Sequence, residues 1–180
     1  MNTKILLNER PVGEPTLGNF KTVKEDIVSP KEGEVLLKTI YMSLDPYMRG
    51  RMNDAKSYAK AVEIGEVMEA GAVSQVIESK SKNFKEGDKV AYAAAPLGSY
   101  STHRIYPTKN LVKVPDGIDL EIVACLMTKG LTTFYLLHKT YPVKKGQTVL
   151  FHAAAGGVGQ IFCQWAKSLG CKVIGTVGSD

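Results

Sequence analysis

The sequence predicts an α/β chain in two parts, an all-β, barrel-like module over residues 1–118 and then the first β-α-β unit of a doubly wound domain over residues 119–180. Three observations carry this. Up to about Ile118, short apolar runs alternate partly with polar residues and are cut by Gly, Pro and charged turns. From Asp119 onward the apolar spacing lengthens to that of helices. Near the end, the glycine-rich string Ala153–Gly159 stands between a strand and a helix, the signature of a nucleotide-binding crossover.

In chain order, the strands stand out at Gly33–Ile40, Gly71–Ile77 and Gly87–Tyr92, each opened by a glycine and rich in Val, Ile, Leu or Tyr. No long amphipathic helix fits this half. Asp119 can cap a helix starting near Leu120, with Ile122, Val123, Leu126 and Met127 along one face. Gly130 is expected to break it, leaving Leu131–Thr140 as a second helix that Pro142 ends. Gly146 leads into a strand at Gln147–His152. A helix follows from about Gly157 to Leu169, with Gly170 as its stop, and Cys171–Val177 is the last strand.

Composition narrows the function. With 44% hydrophobic and 23% charged residues the chain is expected to fold rather than stay disordered. The net charge of +5 suits a mildly basic protein or one with a phosphate-rich ligand. Nucleic-acid binding is not expected, because no basic block with interleaved aromatics occurs; Lys80–Lys85, flanked by Glu78 and Glu86, reads as a solvated loop. The three cysteines include no Cys-x-x-Cys, which argues against a disulfide framework or a cysteine-built metal site. Ile5–Leu7 is too short for a signal core, and no apolar run reaches membrane-spanning length. A reduced, cytoplasmic protein is expected.

The strongest motif is Ala153-Ala154-Ala155-Gly156-Gly157-Val158-Gly159. Read as Ala154-x-Gly156-x-x-Gly159, it is a dinucleotide fingerprint with alanine in the first position. The backbone must turn sharply after the strand, approach a diphosphate closely, and aim the free N–H groups of the next helix at it. Ala154, Ala155, Gly156, Gly157, Val158 and Gly159 are therefore the candidate cofactor contacts. An NAD site wants Asp or Glu about 20 residues beyond the glycines. That count reaches Thr176, Val177 and Gly178, none of them acidic. Gly178 and Ser179 leave room for a 2′-phosphate and offer donors to it, so NADP(H) is favoured over NAD.

These residues carry a resemblance. Leu97–Tyr100, Lys129-Gly130-Leu131-Thr132, Phe151–Gly159 and Gln164–Lys167 resemble the NADPH:quinone oxidoreductases of the medium-chain dehydrogenase/reductase superfamily. Leu36–Met52, with Asp45-Pro46-Tyr47-Met48-Arg49-Gly50-Arg51-Met52, resembles the prostaglandin, 2-alkenal and curcumin reductases. The likeness changes branch near Lys89–Tyr92, as in a chimera or a divergent intermediate.

The resemblance implies a GroES-like β-barrel catalytic domain and a Rossmann domain, NADP(H) as cofactor, and metal-free hydride transfer to a quinone or enone; the alternatives are a non-catalytic cofactor-binding fragment of such an enzyme, or an RNA-binding relative of it. Members of the family are roughly twice this long and usually dimeric. The implied proton donor and 2′-phosphate lysine fall beyond Asp180. No cysteine precedes Cys125, and His103, His138 and His152 are far apart, so a catalytic zinc is not expected. In Asp45-Pro46-Tyr47, expected as a turn, Tyr47 can donate its phenol to a substrate carbonyl, and Asp45 is expected to orient Arg49 or Arg51. Tyr58 and Tyr92 are candidate cleft residues, with strand packing an equal reading for Tyr92. The family places a helix end near the nicotinamide around Met127–Thr132, where Thr128 and Thr132, one helical turn apart, offer hydroxyls to the carboxamide or ribose, with helix capping or surface as the other reading.

Overall fold

The computed structural model of the chain describes residues 1–93, 95–96 and 98–178 and divides into two compact units, Met1–Cys125 and Leu126–Asp180. The first unit opens with an antiparallel hairpin of β1 (Asn2–Leu7) and β2 (Phe20–Glu25). A five-stranded antiparallel sheet follows, formed by β3 (Glu34–Met42), β4 (Ala72–Ser79), β5 (Lys89–Tyr92), β6 (His103–Pro107) and β7 (Val112–Lys113), in the order β6-β3-β4-β5-β7. Bridges at Lys4–Ser101 and Leu6–Val67 fasten the hairpin to the rest of the unit.

The main core of this unit gathers Val35, Leu37, Val76, Val90, Tyr92 and Tyr106. Tyr92 stacks on Tyr106 with ring centroids 4.3 Å apart, and its hydroxyl shares a 2.7 Å hydrogen bond with Ser99 Oγ. Tyr92 is thus a fully buried packing residue rather than a cleft lining. A second cluster, Leu7, Met52, Val62 and Met68, includes the residue that caps the short helix α1 (Tyr47–Arg51). The sequence read Asp45–Tyr47 as a turn. Pro46, with φ −57°, instead starts a helical turn, because its ring already holds the φ that a helix needs. The carbonyls of Asp45 and Pro46 accept from the N–H groups of Met48 and Arg49.

Helix α2 (Leu120–Tyr135) starts where the Val123 N–H meets the Asp119 carbonyl at 3.1 Å. It runs through Gly130 without a break and continues as a π-helical turn, Leu136–Thr140, up to Tyr141 and Pro142. A mid-helix glycine costs only about 1 kcal/mol relative to alanine. The fully buried Thr133 and Leu137 anchor the turns beyond it. Ile122 and Leu126, expected on the buried face, are exposed, whereas Ala124 is buried. The fusion also corrects the expectation about length: Leu120–Thr140 spans 21 residues and holds an 18-residue window of mean hydropathy 1.4, enough by length and composition to cross a membrane. Leu137, near the end of this stretch, is buried in a core with Phe162, Ala166 and Cys171.

The second unit continues with β8 (Thr148–Phe151), α3 (Gly157–Ser168) and β9 (Lys172–Gly175), and the two strands are parallel with Phe151 opposite Gly175. Period-two alternation points Val149, Phe151 and Val173 into the core, where Phe151 stacks on Phe162 at 4.2 Å. Leu150 and Ile174 point the other way and are exposed.

Candidate cofactor bend and tyrosine cluster

The bend grows directly out of the parallel pair. Thr176 donates its N–H to the Phe151 carbonyl at 3.0 Å, and Ala154 donates to the Thr176 carbonyl at 2.9 Å. The ladder therefore runs past the end of β8 and pins Ala154 to the end of β9. Ala153 takes the left-handed region at φ +55°, at a cost of roughly 1–2 kcal/mol for an L-residue, and its carbonyl closes a tight turn by accepting the Gly156 N–H at 2.9 Å. Gly156 caps α3, and its carbonyl accepts from Gln160 at 2.9 Å. The N–H groups of Gly157, Val158 and Gly159 form the first turn of the helix, where no intrahelical acceptor exists. Gly156 and Gly157 are exposed, so the positive end of the helix is open to an anion.

The small residues are required by contact. A Cβ on Gly159 would lie 2.6 Å from the Ala153 carbonyl oxygen, and equally close to the Ala154 Cα and carbonyl oxygen. On Gly156 it would lie 3.1 Å from the Ala153 oxygen. Sequence reasoning missed Gly175, where a Cβ would come 2.5 Å from the Cβ of Ala154. A glycine inside a strand is the signal of such a close approach. The cradle thus fits a dinucleotide diphosphate, with Ala154 filling the space that faces β9. Gly178 has nothing within 4 Å of its Cβ position. Ser179 lies outside the described residues. On α2, the Thr132 hydroxyl donates to the Thr128 carbonyl at 2.8 Å, which leaves its lone pairs to accept from a ligand.

The other candidate residues stand together in the first unit. Tyr47 is half-buried at the start of α1, and burial first, then the charges of Glu69 and Asp45, push its phenol up to about 12. A phenol is neutral at physiological pH in any case, and this shift keeps Tyr47 a protonated donor well into the alkaline range. Asp45 is buried; after burial itself, its charge also pushes up the Tyr100 phenol. Arg51, one turn beyond Tyr47, lies 5.7 Å from the Tyr47 ring centroid and 4.7 Å from that of the exposed Tyr58. Its Nε stands 3.3 Å from Glu69 Oε2, an ion pair whose alignment falls short of a hydrogen bond. Burial pushes the Glu69 carboxyl up while Arg51 opposes the shift. Arg49 is held by the Gly13 carbonyl at 2.8 Å and by Asn53 Oδ1 at 2.6 Å. Glu69 also escaped the sequence reading; a carboxylate within Val67-Met68-Glu69-Ala70 was its only trace.

An antiparallel barrel-like unit followed by a strand, a glycine-rich bend, a helix and a parallel strand defines a medium-chain dehydrogenase/reductase. Residues 3–114 match the family described as the N-terminal domain of oxidoreductase, and the chain belongs to that family. It is 42% identical over 168 residues to the quinone oxidoreductase of Pseudomonas aeruginosa, covering 93% of this chain and 50% of that protein. It is 38% identical over 179 residues to the NADPH-dependent curcumin reductase of Escherichia coli, covering 98% and 51%. The crystal structure of CurA from Vibrio vulnificus in complex with NADPH matches it with a TM-score of 0.81 at 38% identity, over 99% of this chain and 52% of that one. The chain spans about half the length of the curated relatives it matches.

Proposed function

We propose that this chain binds NADP(H) at the Ala154–Gly159 bend and serves the reduction of quinones or α,β-unsaturated carbonyls by hydride transfer. One observation carries the reading: Gly159 packs on the bare backbone of Ala153 and Ala154, in front of an open helix N-terminus. A relative named NADPH-dependent curcumin reductase, and a similar solved structure in complex with NADPH, support it. When bound, the nucleotide supplies the hydride. The N–H groups of Gly157, Val158 and Gly159 hold the diphosphate. Thr128 and Thr132 serve the nicotinamide end, and Gly178 leaves space for the 2′-phosphate. Tyr47, kept protonated by burial and by Glu69 and Asp45, donates to the carbonyl oxygen on which negative charge develops. The three free cysteines suit a reduced cytoplasmic setting.

Fluorescence titration with NADPH and NADH tests the cofactor, and loss of dihydronicotinamide absorbance with a quinone and an enone tests the reaction. NADPH is expected to bind at least about tenfold tighter than NADH, since Thr176, Val177 and Gly178, where an NAD site carries its carboxylate, are not acidic and Asp180 lies about two residues beyond. Binding without turnover would make the chain a cofactor-binding module; no binding would overturn the proposal. Tyr47→Phe is expected to slow enone reduction by about 100-fold at unchanged NADPH affinity. Equal rates for the variant and the parent would remove Tyr47 from the chemistry.

A further inference from the structure

We propose that Lys129 supplies the countercharge for the diphosphate at the bend, and that Gly157 is kept free of a side chain so that this lysine can cross it. The proposal rests on reading the bend as the nucleotide site. A Cβ on Gly157 would lie 2.7 Å from Lys129 Cε and 2.8 Å from Cδ, with Cγ at 3.8 Å. Three consecutive carbons of the lysine therefore run over the first residue of α3. Gly156 and Gly159 are confined by the bend's own backbone, but Gly157 is confined by a side chain from another helix.

The ammonium is one bond beyond a Cε that stands over the exposed Gly157. A cation beside a helix N-terminus is misplaced with respect to the helix dipole. An anion set between them reverses the sign of both interactions, because it is attracted by the dipole and by the lysine together. The surroundings agree. From Leu126 to Gly178 the chain carries six lysines, Lys129, Lys139, Lys144, Lys145, Lys167 and Lys172, and no aspartate or glutamate. With Asp180 as its one acidic residue, the unit still carries a net positive charge, which suits a polyanionic ligand. The groups nearest the bend do not compete for that anion. His152 Nδ1 is engaged with Thr176 Oγ1 at 3.0 Å, and Gln160 Nε2 donates to the Ala155 carbonyl at 2.8 Å.

The test compares the parent chain with Lys129→Met and Lys129→Arg, titrated with NADPH and with NADH at low and high salt. Methionine keeps an unbranched apolar stem over Gly157 and removes the charge; arginine keeps the charge. Lys129→Met is expected to weaken both nucleotides by the same factor, about tenfold, because they share the diphosphate. The gap should narrow at high salt, and Lys129→Arg should stay near the parent. A loss confined to NADPH would move the lysine to the 2′-phosphate and overturn the assignment. Unchanged affinity in Lys129→Met would reduce Lys129 to a packing residue. If the parent chain bound neither nucleotide, the bend reading itself would fall, and the proposal with it. Melting curves of the three proteins should coincide, which separates a binding effect from a folding one.

Discussion

Gly159→Ala is expected to weaken NADPH binding sharply and to loosen the second unit. The added methyl would lie 2.6 Å from three backbone atoms of Ala153 and Ala154, and none of them can rotate away as a side chain would. Either α3 moves off the strand or the bend opens, and both take the N–H groups of the first helical turn away from a diphosphate. Overpacking of this kind costs about 1–3 kcal/mol. We expect NADPH affinity to fall by at least about 100-fold, which corresponds to the upper part of that range. Trp165, the single tryptophan of the chain, lies on α3 and reports the melting of the unit that carries the bend. Gly157→Ala is the control for stability: its methyl meets only the flexible end of Lys129, so the melting transition should hardly move. If Gly159→Ala bound and melted like the parent, the close helix–strand approach would have no functional weight.

Arg51→Met is expected to destabilise the first unit by about 3 kcal/mol, because it leaves the Glu69 carboxylate without its partner in a largely buried setting. The substitution also strips the guanidinium from the rings of Tyr47 and Tyr58. Glu69→Met alone should cost a similar amount by orphaning Arg51. The double variant, with two apolar side chains packed in place of the ions, should recover to within about 1 kcal/mol of the parent. The pH dependence has a definite sign. The Glu69 carboxyl is already pushed up by burial, so the folded chain holds its proton more readily than the unfolded chain does. Losing Arg51 removes the opposing influence and pushes it higher. Stability of Arg51→Met should therefore be greatest at mildly acid pH and fall as pH rises through the new value. Denaturant unfolding from about pH 5 to pH 8 measures this. A flat profile, or additive single and double variants, would show that the pair does not act as a unit.

The bend was legible in the sequence because its chemistry tolerates few residue types. A strand, small residues at fixed spacing and a helix of the right length leave little else to read. Partners brought together by folding were harder to see. Gly175 meets Ala154 across the parallel pair, and Lys129 reaches Gly157 from a different helix, so neither contact leaves a local pattern. Gly130 misled because a glycine in an exposed helix is only weakly unfavourable, whereas Thr133 and Leu137 decide the matter by packing. The β1–β2 hairpin was overlooked for a similar reason. No residue of β2 is fully buried, so its sequence, Phe-Lys-Thr-Val-Lys-Glu, shows no apolar stripe. The helix at Tyr47 was too short to give a period. In the tyrosine cluster the phenol itself was visible, but Glu69 acts from a strand-flanking segment 22 residues away and owes its influence to burial.

The contact between Ala154 and Gly175 ties two distant positions into one heritable trait. Between them there is room for a single methyl group, so alanine and glycine can trade places but cannot both be alanine without prising the bend from its strand. Drift at either site is confined to changes that the other has already made acceptable, and a lineage crosses from one arrangement to its mirror only by way of glycine at both.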